Sequence, residues 1–281
     1  MESQALAFFL VNLVWDDVML SSMRKKIPSA ASVYRKLLAE KTFDKAFRDI
    51  TGCEGWVMLA IIDTTNLEIW RHDQEKNGTL SIRSLVGRAR EIELRVEREM
   101  RRFSSLFDPG PAVYIPTTAP DLGTSTGSAG SSLPIVSSQT SIPRDGSQPH
   151  DIQTYIFSHA ILTELHKVVA GPRGTVPEIS QSIKNALALA WNLRVPTLIP
   201  LRSLVWPFCV SASLATGSQR EAFRSMVSPT EAPVEDTMHR LRYVVETCWG
   251  NLENPARDGL AVYSDWKDIL ERSKSLDILL L

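Results

Sequence analysis

Apolar residues recur along most of this chain at spacings of three and four, the period that sets side chains on one face of an α-helix. The stretch from Ser81 to Phe107 is the most regular, with Leu85, Ala89, Ile92, Val96, Met100, Phe103 and Phe107 on one side. The same spacing returns in Ile152, Tyr155, Ile156, Leu162, Leu165 and Val169, and again in Ile179, Ile183, Leu187, Ala190 and Leu193. It returns once more in Val234, Met238, Leu241, Val245 and Cys248. Ser3 to Arg24 and Trp56 to Trp70 are apolar on more than one face, as helices packed on several sides must be. Shorter helices are predicted near Ala30 to Glu40, Phe43 to Ile50, Ser218 to Val227 and Asp265 to Ser273. The uncharged run from Ser203 to Gln219 reads as a buried helix. Alternating strand patterns are not found. The predicted fold class is all-α, a multi-helix bundle or array.

Breaks between these segments have their own chemistry. Ile27-Pro28 ends the first helix, Thr51-Gly52-Cys53 the third, and Asn77-Gly78 is a turn, as is Gly171-Pro172-Arg173-Gly174. Thr42 stands where an N-cap belongs, and Thr175 to Glu178 and Ser218 to Glu221 have the form of capping boxes. Pro233 fits a first helical turn, Gly250 a helix end, and Ser264 a cap for the last helix.

From Asp108 to Pro149 the composition changes: seven of the sixteen prolines fall there, among runs such as Gly123 to Ser132. Such a stretch cannot bury enough apolar surface to offset its ordering entropy, so a flexible insertion is expected over 108–150. It separates an N-terminal helical part, 1–107, from a C-terminal one, 151–281, expected to pack together as one domain.

Charge and cysteine content narrow the function. With 31 Lys and Arg against 32 Asp and Glu, there is no global electrostatic case for nucleic acid. Seven arginines between Arg83 and Arg102 are interleaved with Glu91, Glu93, Glu97 and Glu99, the mixed pattern of a solvated, ion-paired face rather than a basic docking surface or coiled-coil seam. Cys53, Cys209 and Cys248 are far apart in sequence and fit small core residues in a reducing compartment. Ala5 to Trp15 is strongly apolar, but Glu2 replaces a basic n-region and Asp16 and Asp17 follow after about eleven residues, so neither a signal peptide nor a membrane span is expected.

Candidate chemistry is sparse. Asp16-Asp17 resembles the start of the aspartate-rich metal motif of helical terpene cyclases, but no carboxylate follows at Leu20 or Ser21, and Asn251 to Asp258 lacks a second metal motif. His159 and His166 are seven apart with Glu164 between them, whereas zinc hydrolases place two histidines four apart to converge on one ion. No nucleophile elbow, phosphate loop or dinucleotide fingerprint is present. Tryptophans at 15, 56, 70, 191, 206, 249 and 266 read as core anchors, with an aromatic pocket for a hydrophobic effector as the alternative. No catalytic, metal or cofactor residue is predicted, and no cofactor.

Trp206-Pro207-Phe208-Cys209-Val210-Ser211-Ala212, followed by Ser218-Gln219-Arg220-Glu221-Ala222-Phe223, resembles the tryptophan-proline helix and its acid-and-arginine follow-up in the regulatory domain of fungal zinc-cluster transcription factors. Val14-Trp15-Asp16-Asp17-Val18, Thr51-Gly52-Cys53, Trp249 and Trp266 are similar to further landmarks of that family, in the same order. The resemblance implies a nuclear transcription regulator, with secondary metabolism as its setting and protein partners that include a second copy of the chain. A binuclear zinc cluster needs six closely spaced cysteines, and the three here cannot form one. DNA is therefore expected to be reached only indirectly or through a module outside this sequence. Three readings stay open: a gene model lacking its first exon, a zinc-free regulator, or a scaffold repurposed to bind or convert a small molecule of a metabolic pathway.

Overall fold

The computed structural model describes residues 2–103, 107–110, 140–143, 149–192, 201–227, 235–253 and 265–273. Among these, eleven α-helices follow one another: α1 Glu2–Met23, α2 Ala31–Ala39, α3 Lys41–Thr51, α4 Gly55–Lys76, α5 Ile82–Phe103, α6 Pro149–Ala170, α7 Pro177–Asn192, α8 Val205–Ser213, α9 Ser218–Met226, α10 Glu235–Glu253 and α11 Trp266–Arg272. A 3-10 turn, Leu201–Leu204, leads into α8. The all-α expectation is met. One addition is a two-stranded antiparallel ladder, β1 Phe107–Gly110 with β2 Thr140–Pro143. The rest of the insertion expected over 108–150 lies outside the described residues, apart from the start of α6.

The centre of the structure is α6. Its sequence predicts one buried face, yet α6 is enclosed nearly all round, with α4, α5, α7 and α8 packed against it. Its small polar residues permit this by satisfying themselves locally. Ser158 Oγ donates to the Thr154 carbonyl at 2.6 Å and Thr163 Oγ1 to that of His159 at 2.9 Å. Others reach across: Gln153 Nε2 donates to the Thr51 carbonyl at 2.9 Å, and Tyr155 Oη to that of Met100 at 2.8 Å. These bonds tie α6 to the ends of α3 and α5.

Several helix ends depart from the sequence expectation. Thr42 lies inside α3, whose N-cap is Glu40, and Ser218 is the first residue of α9, after Gly217 at φ 50°. There Gln219 Oε1 accepts the Thr216 amide at 3.1 Å, and the N-cap, Gly217, has no side chain to make the bond expected of Ser218. Helix α7 begins at Pro177, the first-turn position where a proline loses no hydrogen bond. Asp265 caps α11 in a box with Asp268, and the expected cap Ser264 lies outside the described residues, as do Pro233 and Val234. Helix α10 runs through Gly250 to Glu253; Gly250 is helical with open space beside it, a cost of about 1 kcal/mol that the helix absorbs. Helix α5 stops at Phe103 and Phe107 opens β1, where Pro109 holds the preceding residue extended.

Two glycines do what only glycine can. Gly52 ends α3 in the left-handed region, φ 73°, donating to the Arg48 carbonyl at 2.9 Å. At Gly174 a Cβ would lie 2.0 Å from the Leu214 carbonyl oxygen, so this turn can press on the end of α8.

Candidate functional site

The tryptophan-proline helix α8 is buried along its whole length. Trp206 stacks on Phe157 of α6 with ring centroids 5.8 Å apart and planes 4° from parallel. Phe157 in turn meets Trp15 of α1 edge-on at 5.5 Å. The follow-up segment locks neighbouring elements. Gln219 Nε2 donates to the Ser180 carbonyl on α7 at 3.0 Å, and Arg220 Nε to the Ala215 carbonyl at 2.8 Å while its guanidinium pairs with Glu253. Arg220 and Arg224 lie 5.1 and 4.9 Å from the Trp249 ring, whose indole nitrogen donates to the Ala212 carbonyl at 2.7 Å. The residues that carry the sequence resemblance thus build the joint between α7, α8, α9 and α10.

A cleft of about 610 Å³ opens beside this core, lined by residues of α4, α6 and α11 and by Lys25. Its floor is ionic. Lys267 Nζ lies 2.6 Å from both Glu68 Oε2 and Glu164 Oε1, and Lys167 Nζ lies 2.7 Å from Glu164 Oε2 and 2.8 Å from Asp265 Oδ2. At the rim Lys25 Nζ bonds Asp268 Oδ1 at 2.7 Å, and Arg71 pairs with Glu75 at 2.8 Å. Burial alone would raise the Glu164 pKa, but the ammoniums of Lys167 and Lys267 outweigh it and hold the carboxyl at about 2. Burial works against the charge on Lys267 too, and Glu164 and Glu68 overcome it, so that its pKa is raised.

Glu68, Glu164 and Asp265 present oxygens within 4.8 Å of one another, a spacing suited to a cation. The two lysine ammoniums already fill that role. With its carboxylates and ammoniums paired to one another, the network fixes α11 against α4 and α6.

The residues weighed in the sequence lie elsewhere. Asp17 accepts from Tyr34 Oη at 2.8 Å and from Ser21 Oγ at 3.4 Å, which anchors α2 to α1, and burial raises the pKa of Asp16. His166 Nε2 is 3.1 Å from Glu93 Oε1 on α5, in a second cleft of about 420 Å³, while His159 lies against the Tyr155 ring at 6.2 Å. Neither belongs to the carboxylate group. Cys53, Cys209 and Cys248 are buried free thiols, and burial raises the pKa of each. No tryptophan lines either cleft among the described residues; Trp206, Trp249 and Trp266 are buried, and Trp70 sits under Arg88 at 4.6 Å. The charged face of α5 pairs within itself, Arg90 with Glu93 at 2.7 Å and Arg102 with Glu99 at 2.5 Å, as expected.

Sequence reasoning missed the ionic floor. Its signal is Glu164-x-x-Lys167 on a helix with almost no exposed face, where two charges need partners from another element.

Burial also gives the domain a pH dependence. The His159 pKa is lowered to about 4 from 6.5, because the charged imidazole loses its water. The unfolded chain takes up this proton below pH 6.5 and the folded one only near pH 4. Stability is therefore full above 6.5 and falls as the pH drops from 6.5 to 4. Glu164 adds a loss between 4.5 and 2. Urea unfolding at pH 7.5 and 5.0 should show a drop for the wild type that is smaller in His159→Gln; an equal drop in both would place the titration elsewhere.

The family model described as the fungal specific transcription factor domain matches residues 1–281. Transcription factor phomR′ of Diaporthe leptostromiformis is 38% identical over 315 residues, covering 100% of this chain and 46% of the relative. The ustiloxin B cluster transcription factor ustR of Aspergillus flavus is 38% identical over 274 residues, 97% of this chain and 42% of the relative. The trichothecene biosynthesis transcription regulator TRI10 of Trichoderma arundinaceum is 27% identical over 223 residues, 79% and 41% of the two chains. The chain thus spans about half the length of the curated relatives it matches. No solved structure matches.

Proposed function

We propose, from the premise that this chain belongs to the fungal specific transcription factor domain family, that it is the helical regulatory part of a transcription regulator of a secondary-metabolite gene cluster. The observation that carries the reading is the match to the family along all 281 residues. The relatives' names support the setting, since ustR is named a transcription factor of the ustiloxin B cluster and TRI10 a transcription regulator of trichothecene biosynthesis. On this reading residues 1–107 and 151–281 act as one domain in the nucleus, through protein contacts. DNA is reached by a partner or a module beyond these residues, because three separate core cysteines cannot supply a zinc cluster.

A repurposed small-molecule protein is the weaker reading. Its cleft has a suitable volume, but the walls are charged and mutually paired rather than aromatic. Deleting the gene separates the two. A regulator predicts a fall in the transcripts of neighbouring biosynthetic genes; unchanged transcripts with an accumulated pathway intermediate would sink it.

A further inference from the structure

From Val18 to Ala39 the chain carries five Lys and Arg and no Asp or Glu, although its overall charge is -1. Three of the five, Arg24, Lys25 and Lys26, stand together where α1 ends. Lys25 takes φ 50°, and the Lys26 amide closes back on the Ser21 carbonyl at 2.8 Å, a helix end that turns the chain outward. Lys26, Ile27 and Pro28 then run without helix or turn towards α2. Pro28 is buried and pins this stretch, while Ile27 and Ser29 on either side of it are exposed.

Ser29 is the hydroxyl here that an enzyme can reach. Its Oγ makes no hydrogen bond among the described residues. Ser21 and Ser22 are buried in α1, and Tyr34 is buried and bonded to Asp17. Ser32 is exposed, but its backbone is already wound into α2 and cannot be drawn out straight.

We propose that Ser29 is phosphorylated by a serine kinase that reads the basic residues ahead of its target, and that the phosphate caps α2. Arg24, Lys25 and Lys26 precede it by five, four and three residues. Arg24 and Lys26 are exposed and make no ion pair among the described residues, so an acidic substrate groove can take both without breaking a bond of the fold. Lys25 keeps Asp268 at 2.7 Å. In the transfer the Ser29 oxygen bonds to the γ-phosphorus of ATP, the bond from that phosphorus to the β–γ bridging oxygen breaks, and ADP leaves. The hydroxyl proton passes to the kinase's base.

The product meets a helix start that lacks a cap of its own. Ala30, the N-cap of α2, makes no side-chain bond, the first turn holds no acid, and the Ser32 amide has no backbone acceptor. A phosphate just ahead of this turn supplies acceptor oxygens to a free donor and negative charge to the positive end of the helix dipole. Since Tyr34 of α2 bonds Asp17 of α1, a firmer α2 also tightens its seat on α1. Such an input regulates the domain whatever its output, and so goes beyond the reading above.

The intact chain isolated from its native cells and cut with trypsin should yield the peptide Ile27 to Arg35 with one phosphate, placed by its fragments on Ser29 rather than Ser32 or Tyr34. In vitro, transfer from ATP by the catalytic domain of protein kinase C should be lost in Ser29→Ala and unchanged in Ser32→Ala. It should fall roughly tenfold when Arg24→Gln and Lys26→Gln are combined. These variants should keep the wild-type helical circular dichroism, because the side chains they replace are exposed. Hydrogen exchange at the Ser32 amide should slow roughly tenfold in the phosphorylated chain. Native protein without phosphate on Ser29, transfer that goes to Ser32 or ignores the Arg24 and Lys26 replacements, or unchanged exchange at Ser32 would each overturn the proposal. Transcription is read in none of these measurements, so failure here leaves the regulatory reading standing.

Discussion

Replacement of Lys267 by Met is expected to lower the stability of the domain by about 3–5 kcal/mol, the cost of leaving a buried charge without its partner. The Lys267 side chain is 1% exposed and lies between Glu68 and Glu164, so its loss leaves Glu68 unpaired on that side and Glu164 with Lys167 alone. Helix α11 should feel this first, because its cap Asp265 and its Lys267 are both anchored in the same network. The midpoint of urea unfolding at neutral pH measures the effect. A loss under about 1 kcal/mol would mean that the floor of the cleft is solvated and that its pairs behave like surface salt bridges. Adding Glu68→Gln and Glu164→Gln to Lys267→Met should recover part of the loss, since what is costly is the orphaned charge rather than the missing pair.

The second large effect is expected at Trp206. Truncation to Ala removes a buried indole from the stack on Phe157 and leaves a cavity between α6 and α8, at a cost of about 3–5 kcal/mol. Trp206→Phe should cost much less. It keeps an aromatic ring over Phe157 and removes an indole nitrogen that is buried without a hydrogen-bond partner. Thermal unfolding of the two variants separates packing from polarity: equal losses would show that the nitrogen, not the ring, holds the position.

Much of the fold is legible in the sequence because its signals are local. The period of Leu85, Ala89, Ile92 and Val96 places α5 and Gly52 ends α3, through chemistry confined to one or two turns, whereas α1 closes at Met23 with Lys25 at φ 50°, ahead of the expected break at Ile27-Pro28. Helix caps are less secure, since a helix start shifted by one residue, as at Gly217 before Ser218, leaves nearly the same residues in the pattern. Helix α6 shows the larger limit. Spacing alone marks one buried face, and the enclosure of Ser158, Thr163 and Lys167 depends on α4 and α5, more than fifty residues upstream, as well as on α7 and α8 downstream.

The cleft was illegible for the same reason. Glu68, Glu164 and Lys267 are 199 residues apart at their extremes, and no spacing rule connects them. The exposure of Leu6, Phe9 and Leu13 on α1 was half visible. An apolar stretch was plain, but which side remained uncovered needed the positions of α3 and α4.

Service of this fold in transcription is tested most directly by the transcript level of the neighbouring biosynthetic genes in a deletion strain that re-expresses either the wild-type gene or its Trp206→Ala variant. Restoration by the wild type, with a marked deficit in the variant, is the predicted result. Transcripts that stay at the same level in all three strains, while a pathway intermediate accumulates in the deletion, would contradict it.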